Sequence, residues 1–165
     1  MRTVLVVLSL ALWGAYPSAQ RELLPSSTFQ HVSVSAGPSA ITVIPGGSVS
    51  LWVDVSPKPN IHVYAPGAKD FQAVALVVSP ERGVTVGKIS YPAGTPTAFP
   101  GIDARVPVYQ KTFRITVPLT IARTSATGRT LNVAGAVNYQ ACDDRVCFPP
   151  ASAAVNWTVK VEAGG

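Results

Sequence analysis

An all-β fold, an immunoglobulin-like antiparallel β-sandwich, is predicted for this 165-residue chain by three observations. Apolar residues recur with period two rather than 3.6, and turn signals rich in Gly and Pro separate the apolar runs at short intervals. No segment sustains a helical pattern over the roughly 12 residues that a helix needs. Several short strands at such spacing suit a sandwich.

The chain opens with Met1-Arg2-Thr3 and the apolar run Val4 to Leu12, the layout of a secretory signal. The run falls short of the roughly 20 residues that span a bilayer, so the expectation is export without stable membrane insertion. Residues 1–19 are read as signal peptide with cleavage near Ala19, 20–27 as a flexible lead-in, and 28–162 as the folded domain. About 146 residues then remain, enough for one core.

Candidate strands follow in order: Phe29 to Val34, Ala40 to Ile44, Val49 to Val55, Ile61 to Tyr64, Ala73 to Val78 and Val84 to Ile89. Beyond them come Phe113 to Val117, Leu131 to Tyr139 and Val155 to Val161. In the third, Val49, Leu51, Val53 and Val55 alternate with Ser50, Trp52 and Asp54, the mark of a half-buried strand. Turn signals stand between them, among them Pro45-Gly46-Gly47, Pro57-Lys58-Pro59-Asn60 and Pro80-Glu81-Arg82-Gly83. The stretch from Tyr91 to Val108 differs, with Pro92, Pro96, Pro100 and Pro107 breaking any regular pattern. It reads as a long loop rather than a hairpin, and loops of that length tend to be functional or disordered. Phe99 sits in its middle, either tucked against the nearest core edge or serving a site.

Hydrophobic residues make up 47% and charged ones 13% of the chain, which excludes general disorder. The net charge of +5, or +4 once Arg2 leaves with the signal, comes from lysines and arginines spaced singly. A nucleic-acid surface gathers them in clusters or stripes, so no nucleic-acid partner is expected.

The two cysteines, Cys142 and Cys147, lie in Y-Q-A-C-D-D-R-V-C-F-P-P with four residues between them. In an exported protein such a pair is either a structural staple or an exchanging thiol pair. A bridge closing so short a loop stabilises by only about 2 kcal/mol on the loop-entropy model. It should also lie at a hairpin tip, open to a partner, and exposed disulfides are the labile ones. Asp143 and Asp144, opposed by Arg145, disfavour a thiolate beside them and tune the pair toward reductant. Phe148-Pro149-Pro150 stiffens the chain beyond the second sulfur or merely breaks a strand edge. His31, His62 and the aspartates lack the spacing of a metal site, and no motif for a cofactor or a hydrolase occurs.

With Val137-Asn138 ahead of it, the cysteine segment resembles the active-site hairpin of the N-terminal periplasmic domain of DsbD, the thiol:disulfide interchange protein family. Ile61-His62-Val63-Tyr64, Tyr91-Pro92-Ala93-Gly94 and Tyr109 to Val117 extend the similarity over roughly residues 28–161. The resemblance implies a periplasmic sandwich whose Cys142/Cys147 pair shuttles between dithiol and disulfide. Cys147 would form the mixed disulfide and Cys142 resolve it, with Phe99 as cap and Tyr64, His62, Tyr139 and Phe148 lining the site. The implied partners are thioredoxin-like or disulfide isomerase-type proteins and, since the chain ends at Gly165 as a stand-alone domain, a separate membrane electron donor. Two departures stand out: four rather than five residues separate the cysteines, and Thr97-Ala98 replace acidic residues ahead of the cap. The competing reading is an exported binding or assembly module with a purely structural disulfide, on which an exposed Trp52 would serve ligand contact.

Overall fold

The computed structural model describes residues 31–38 and 40–164, so the signal peptide and lead-in lie outside the described residues. Twelve strands follow one another: β1 Val32–Gly37, β2 Ile41–Val43, β3 Ser48–Pro57, β4 His62–Tyr64, β5 Ala75–Ser79 and β6 Val84–Val86. The rest are β7 Thr95–Thr97, β8 Val106–Tyr109, β9 Phe113–Ile121, β10 Thr130–Tyr139, β11 Ala141–Cys142 and β12 Ala151–Val161. Among the described residues there is no helix.

Two sheets form the sandwich, ordered β1-β3-β9-β6 and β2-β12-β10-β5. Alternation sets their inner faces. Leu51, Val53 and Val55 on β3 and Ile115, Val117, Leu119 and Ile121 on β9 are fully buried, and they face Val133, Val137, Val155 and Val159 of the other sheet. Trp157 ties the layers together, its indole N–H donating across the interior to Gly37 O at 3.1 Å and Trp52 O at 3.2 Å. Gly37 has to be glycine there, because a Cβ would lie 2.7 Å from the Trp52 ring. All pairings in the two sheets are antiparallel except β2–β12, which is parallel.

A third, smaller sheet, ordered β11-β4-β8-β7, carries Cys142, His62 and Tyr64. Here the structure corrects the reading of Tyr91 to Val108 as an irregular loop. Thr95–Thr97 pairs with Val106–Tyr109, so the segment is a hairpin whose tip spans residues 98–105. Prolines hid it: Pro96 and Pro107 are register partners on this short ladder, where a missing N–H is tolerated because β7 is an edge strand. Gly94 allows the hairpin to press against the sheet, since a Cβ would collide with Ala65 and Pro107. The Tyr109 hydroxyl donates to Pro92 O at 2.5 Å and fixes its approach.

Trp52 is also placed differently from the expectation. It is half-buried, with Gly37 on one side and the Arg114 guanidinium 4.6 Å over its ring, so it offers no free aromatic face. Arg114 is held there by a two-point ion pair with its cross-strand partner Asp54, both contacts 2.7 Å.

Candidate functional site

The long antiparallel pair β10–β12 stays in register from Thr130 and Lys160 to Tyr139 and Ala151, and the segment connecting the two strands holds the candidate site. Cys142 and Cys147 are joined by a disulfide and face each other as a bridge pair. The turn between them is held by Asp143, whose Oδ1 accepts the backbone N–H groups of Arg145 and Val146, both at 2.7 Å. Those two donors hold the Asp143 carboxyl below its ordinary value, so it stays a carboxylate.

The two sulfurs occupy unlike environments. Cys142 is 1% exposed and belongs to a small apolar cluster with Tyr64, Val106 and Val108, whereas Cys147 is exposed. β11 pairs with β4 so that Cys142 stands opposite His62, and His62 and Tyr64 share one face of β4 by alternation. The Tyr64 hydroxyl lies 3.6 Å from each sulfur. Disulfide sulfurs carry no hydrogen, so the hydroxyl is the donor in either contact. Burial pushes the Tyr64 phenol up and keeps it protonated.

Phe99, on the tip of the β7–β8 hairpin, is half-buried, with its ring centroid 4.7 Å from that of His62. It packs on the Cys142 cluster with Ile102, and the two readings of Phe99 thereby merge: the core edge against which it tucks is the site itself. His62, Tyr64, Phe99, both cysteines and the Asp143–Val146 turn border a cleft of about 160 Å³. His62 is 3% exposed rather than a surface residue, and its Nε2 has no hydrogen-bond partner among the described residues. Burial holds its imidazole below the ordinary value, opposed by the carboxylates of Asp144 and Asp143.

Two expected lining residues do not line the cleft. Tyr139 points into the sandwich interior, as its place in the β10 alternation with Val133 and Val137 requires, and it is 1% exposed. Its hydroxyl lies beside the backbone of His31 and Val32 without a hydrogen bond of good geometry, and burial pushes its phenol up. Phe148 stacks on His31 at 3.8 Å, where it anchors the hairpin base to the start of β1. Phe71 was missed: its ring stacks on Tyr64 at 4.3 Å and sets that ring's orientation. A signal existed, since Phe71, like Phe99, is a lone aromatic among turn residues, here Lys69-Asp70.

Fold and site together define a class: an immunoglobulin-like domain that displays a disulfide at one end, one sulfur outward and one inward. The chain belongs to the family of N-terminal domains of the thiol:disulfide interchange protein DsbD, whose model matches residues 31–158. Similar solved structures include the N-terminal domain of DsbD from Neisseria meningitidis in the reduced form, at 16% identity over 70% of this chain and 78% of that one, TM-score 0.42. Another is the N-terminal periplasmic domain of ScsB from Proteus mirabilis, at 17% identity, TM-score 0.51, covering 78% of this chain and 46% of that one. No curated protein matches the chain in sequence. Family membership and the Cys142–Cys147 disulfide support thiol:disulfide exchange as the general activity.

Proposed function

We propose that this protein is a periplasmic module that relays reducing equivalents through Cys142 and Cys147 from a separate membrane electron donor to thioredoxin-like or disulfide isomerase-type partners. The observation that carries the reading is the inequality of the two sulfurs, Cys147 exposed and Cys142 1% exposed. A thiolate breaks a disulfide by attacking one sulfur and expelling the other. Access selects Cys147 as the sulfur attacked. Cys142 is then the leaving group, and it departs beside a Tyr64 hydroxyl able to donate to it.

In the charging half-reaction a donor thiolate attacks Cys147 Sγ, the Cys147–Cys142 bond breaks, and Cys142 takes the electron pair and a proton. The donor's second thiol then displaces Cys147, leaving the donor oxidised and this protein a dithiol. In the delivering half-reaction the Cys147 thiolate attacks a partner disulfide and one partner sulfur leaves. Cys142 next attacks Cys147 and expels the other, so that two electrons and two protons pass. Phe99 covers the inner sulfur until a docking partner displaces it, which protects the dithiol from passing disulfides. Asp143 and Asp144 disfavour the thiolate, bias the couple toward reductant and suit a donor role.

The test uses the reduced Cys142→Ser variant mixed with an oxidised thioredoxin-fold protein. The expected result is a stable mixed disulfide through Cys147, resolved by reductant and absent from Cys147→Ser. Absence of any adduct from the folded variant would leave a structural disulfide as the better reading.

A further inference from the structure

The last step of the relay requires Cys142 as a nucleophile, and this sulfur is 1% exposed within an apolar cluster. In the mixed disulfide the docked partner takes the place of Phe99 over this sulfur and keeps water from its proton, so a protein group has to accept it. Resting on the exchange reading above, we infer that His62 is the proton acceptor for the resolving sulfur, taking the Cys142 proton on Nε2 as Cys142 attacks Cys147.

The placement supports this role. Cys142 and His62 are direct partners on the β11–β4 ladder, so their side chains rise from the same face as neighbours. Both border the same cleft, where the Phe99 ring packs against that of His62. Nε2 is buried with no hydrogen-bond partner among the described residues, an unusual condition for an imidazole that only packs. With its proton on Nδ1, the ring keeps a free lone pair on Nε2.

The other polar groups at the site do not fit the task. Tyr64 is a phenol held protonated by burial, so it can donate to a thiolate but not deprotonate a thiol. Asp143 already accepts two backbone N–H groups. Carboxylates as a class lie roughly 4 to 5 pH units below a thiol and are poor acceptors for its proton. The groups facing His62 are Asp143, Asp144 and Arg145 from the turn and Tyr64 from its own strand, while the hairpin tip contributes Phe99, Pro100 and Ile102, none of which titrates. Burial keeps His62 neutral and able to accept, and the two carboxylates stabilise the imidazolium once formed. A bare Cys142 thiolate would add a third negative charge to this corner. A thiolate–imidazolium pair adds none.

The step balances within the mixed disulfide. The Cys142 proton passes to Nε2, the sulfur lone pair forms the bond to Cys147, and the bond from Cys147 to the partner sulfur breaks. The partner sulfur leaves with that electron pair, and the imidazolium returns the proton to it or to water.

Stopped-flow release of thionitrobenzoate from one equivalent of 5,5′-dithiobis(2-nitrobenzoate) by the reduced full chain separates the two sulfurs. The first release reports attack by Cys147 and the second reports resolution by Cys142. For His62→Gln, and for His62→Phe, which keeps a buried ring under Phe99, the second release at pH 7 is expected to slow by about a hundredfold, the lower range for general base catalysis. The first release should stay at the wild-type rate. The second should recover as pH rises through the ordinary thiol value of about 8.5. An unchanged second phase, or equal slowing of both phases, overturns the assignment of His62 alone. A wild-type chain that gives no second release overturns the relay as well.

Discussion

The sandwich interior and the small end sheet differ in what they bury. Between the two large sheets the buried side chains are nearly all apolar, and the one indole N–H among them, that of Trp157, has two acceptors. The end sheet buries His62 beside a small cluster, Cys142 and Tyr64 included, on which half-buried Phe99, the proposed lid, packs. Each region holds one buried polar atom without a partner among the described residues, Nε2 of His62 here and the Tyr139 hydroxyl in the core. The first region supplies stability; the second leaves Cys147 exposed, which the proposed relay requires for a foreign sulfur to reach it.

Substitutions in the two regions should therefore separate stability from exchange. The largest contrast sets Ile115→Ala against Cys147→Ser. Ile115 is fully buried between the sheets, and its truncation is expected to cost about 2–5 kcal/mol in denaturant unfolding while the remaining folded fraction still exchanges. Cys147→Ser should abolish exchange and destabilise by only the roughly 2 kcal/mol that a short-loop disulfide supplies. Comparable stability losses from the two would erase the distinction.

Phe99→Ala is a smaller effect that sharpens it. Loss of the ring opens the cleft over His62 and Cys142, so reduction of the disulfide by dithiothreitol should quicken several-fold. The ring is half-buried at a hairpin tip, and thermal stability should barely change. A large drop in melting temperature without faster reduction would make Phe99 a core residue rather than a lid.

The sandwich was legible in the sequence because period two survives wherever one strand face is buried. The β3, β9 and β12 alternations appear at the expected residues, and β10 covers the strand expected from Leu131 to Tyr139. The end sheet was less so, because strands of two to four residues carry too few repeats for a period and because β7 and β8 contain prolines. The disulfide pair and Phe99 were visible as residue types in unusual places. Depth was not: His62, Val63 and Tyr64 are all buried, a pattern that β4 acquires only when the hairpin folds over one face of it. Tyr139 and Phe148 show the converse error, since proximity in sequence to Cys142 and Cys147 says nothing about the face on which a side chain emerges. Tyr139 lies three residues before Cys142 yet points into the main core.

One sulfur faces outward and the other inward, and the reaction rates of the two single-cysteine variants with 5,5′-dithiobis(2-nitrobenzoate) test that difference most directly. Folded, reduced Cys142→Ser, which keeps only Cys147, is expected to react at least about tenfold faster than Cys147→Ser, the factor that an opening cost of ~1.4 kcal/mol for the inner sulfur corresponds to. In urea the two rates should converge. Equal rates in the folded state, or faster reaction at Cys142, would contradict the assignment of Cys147 as the sulfur that meets the partner.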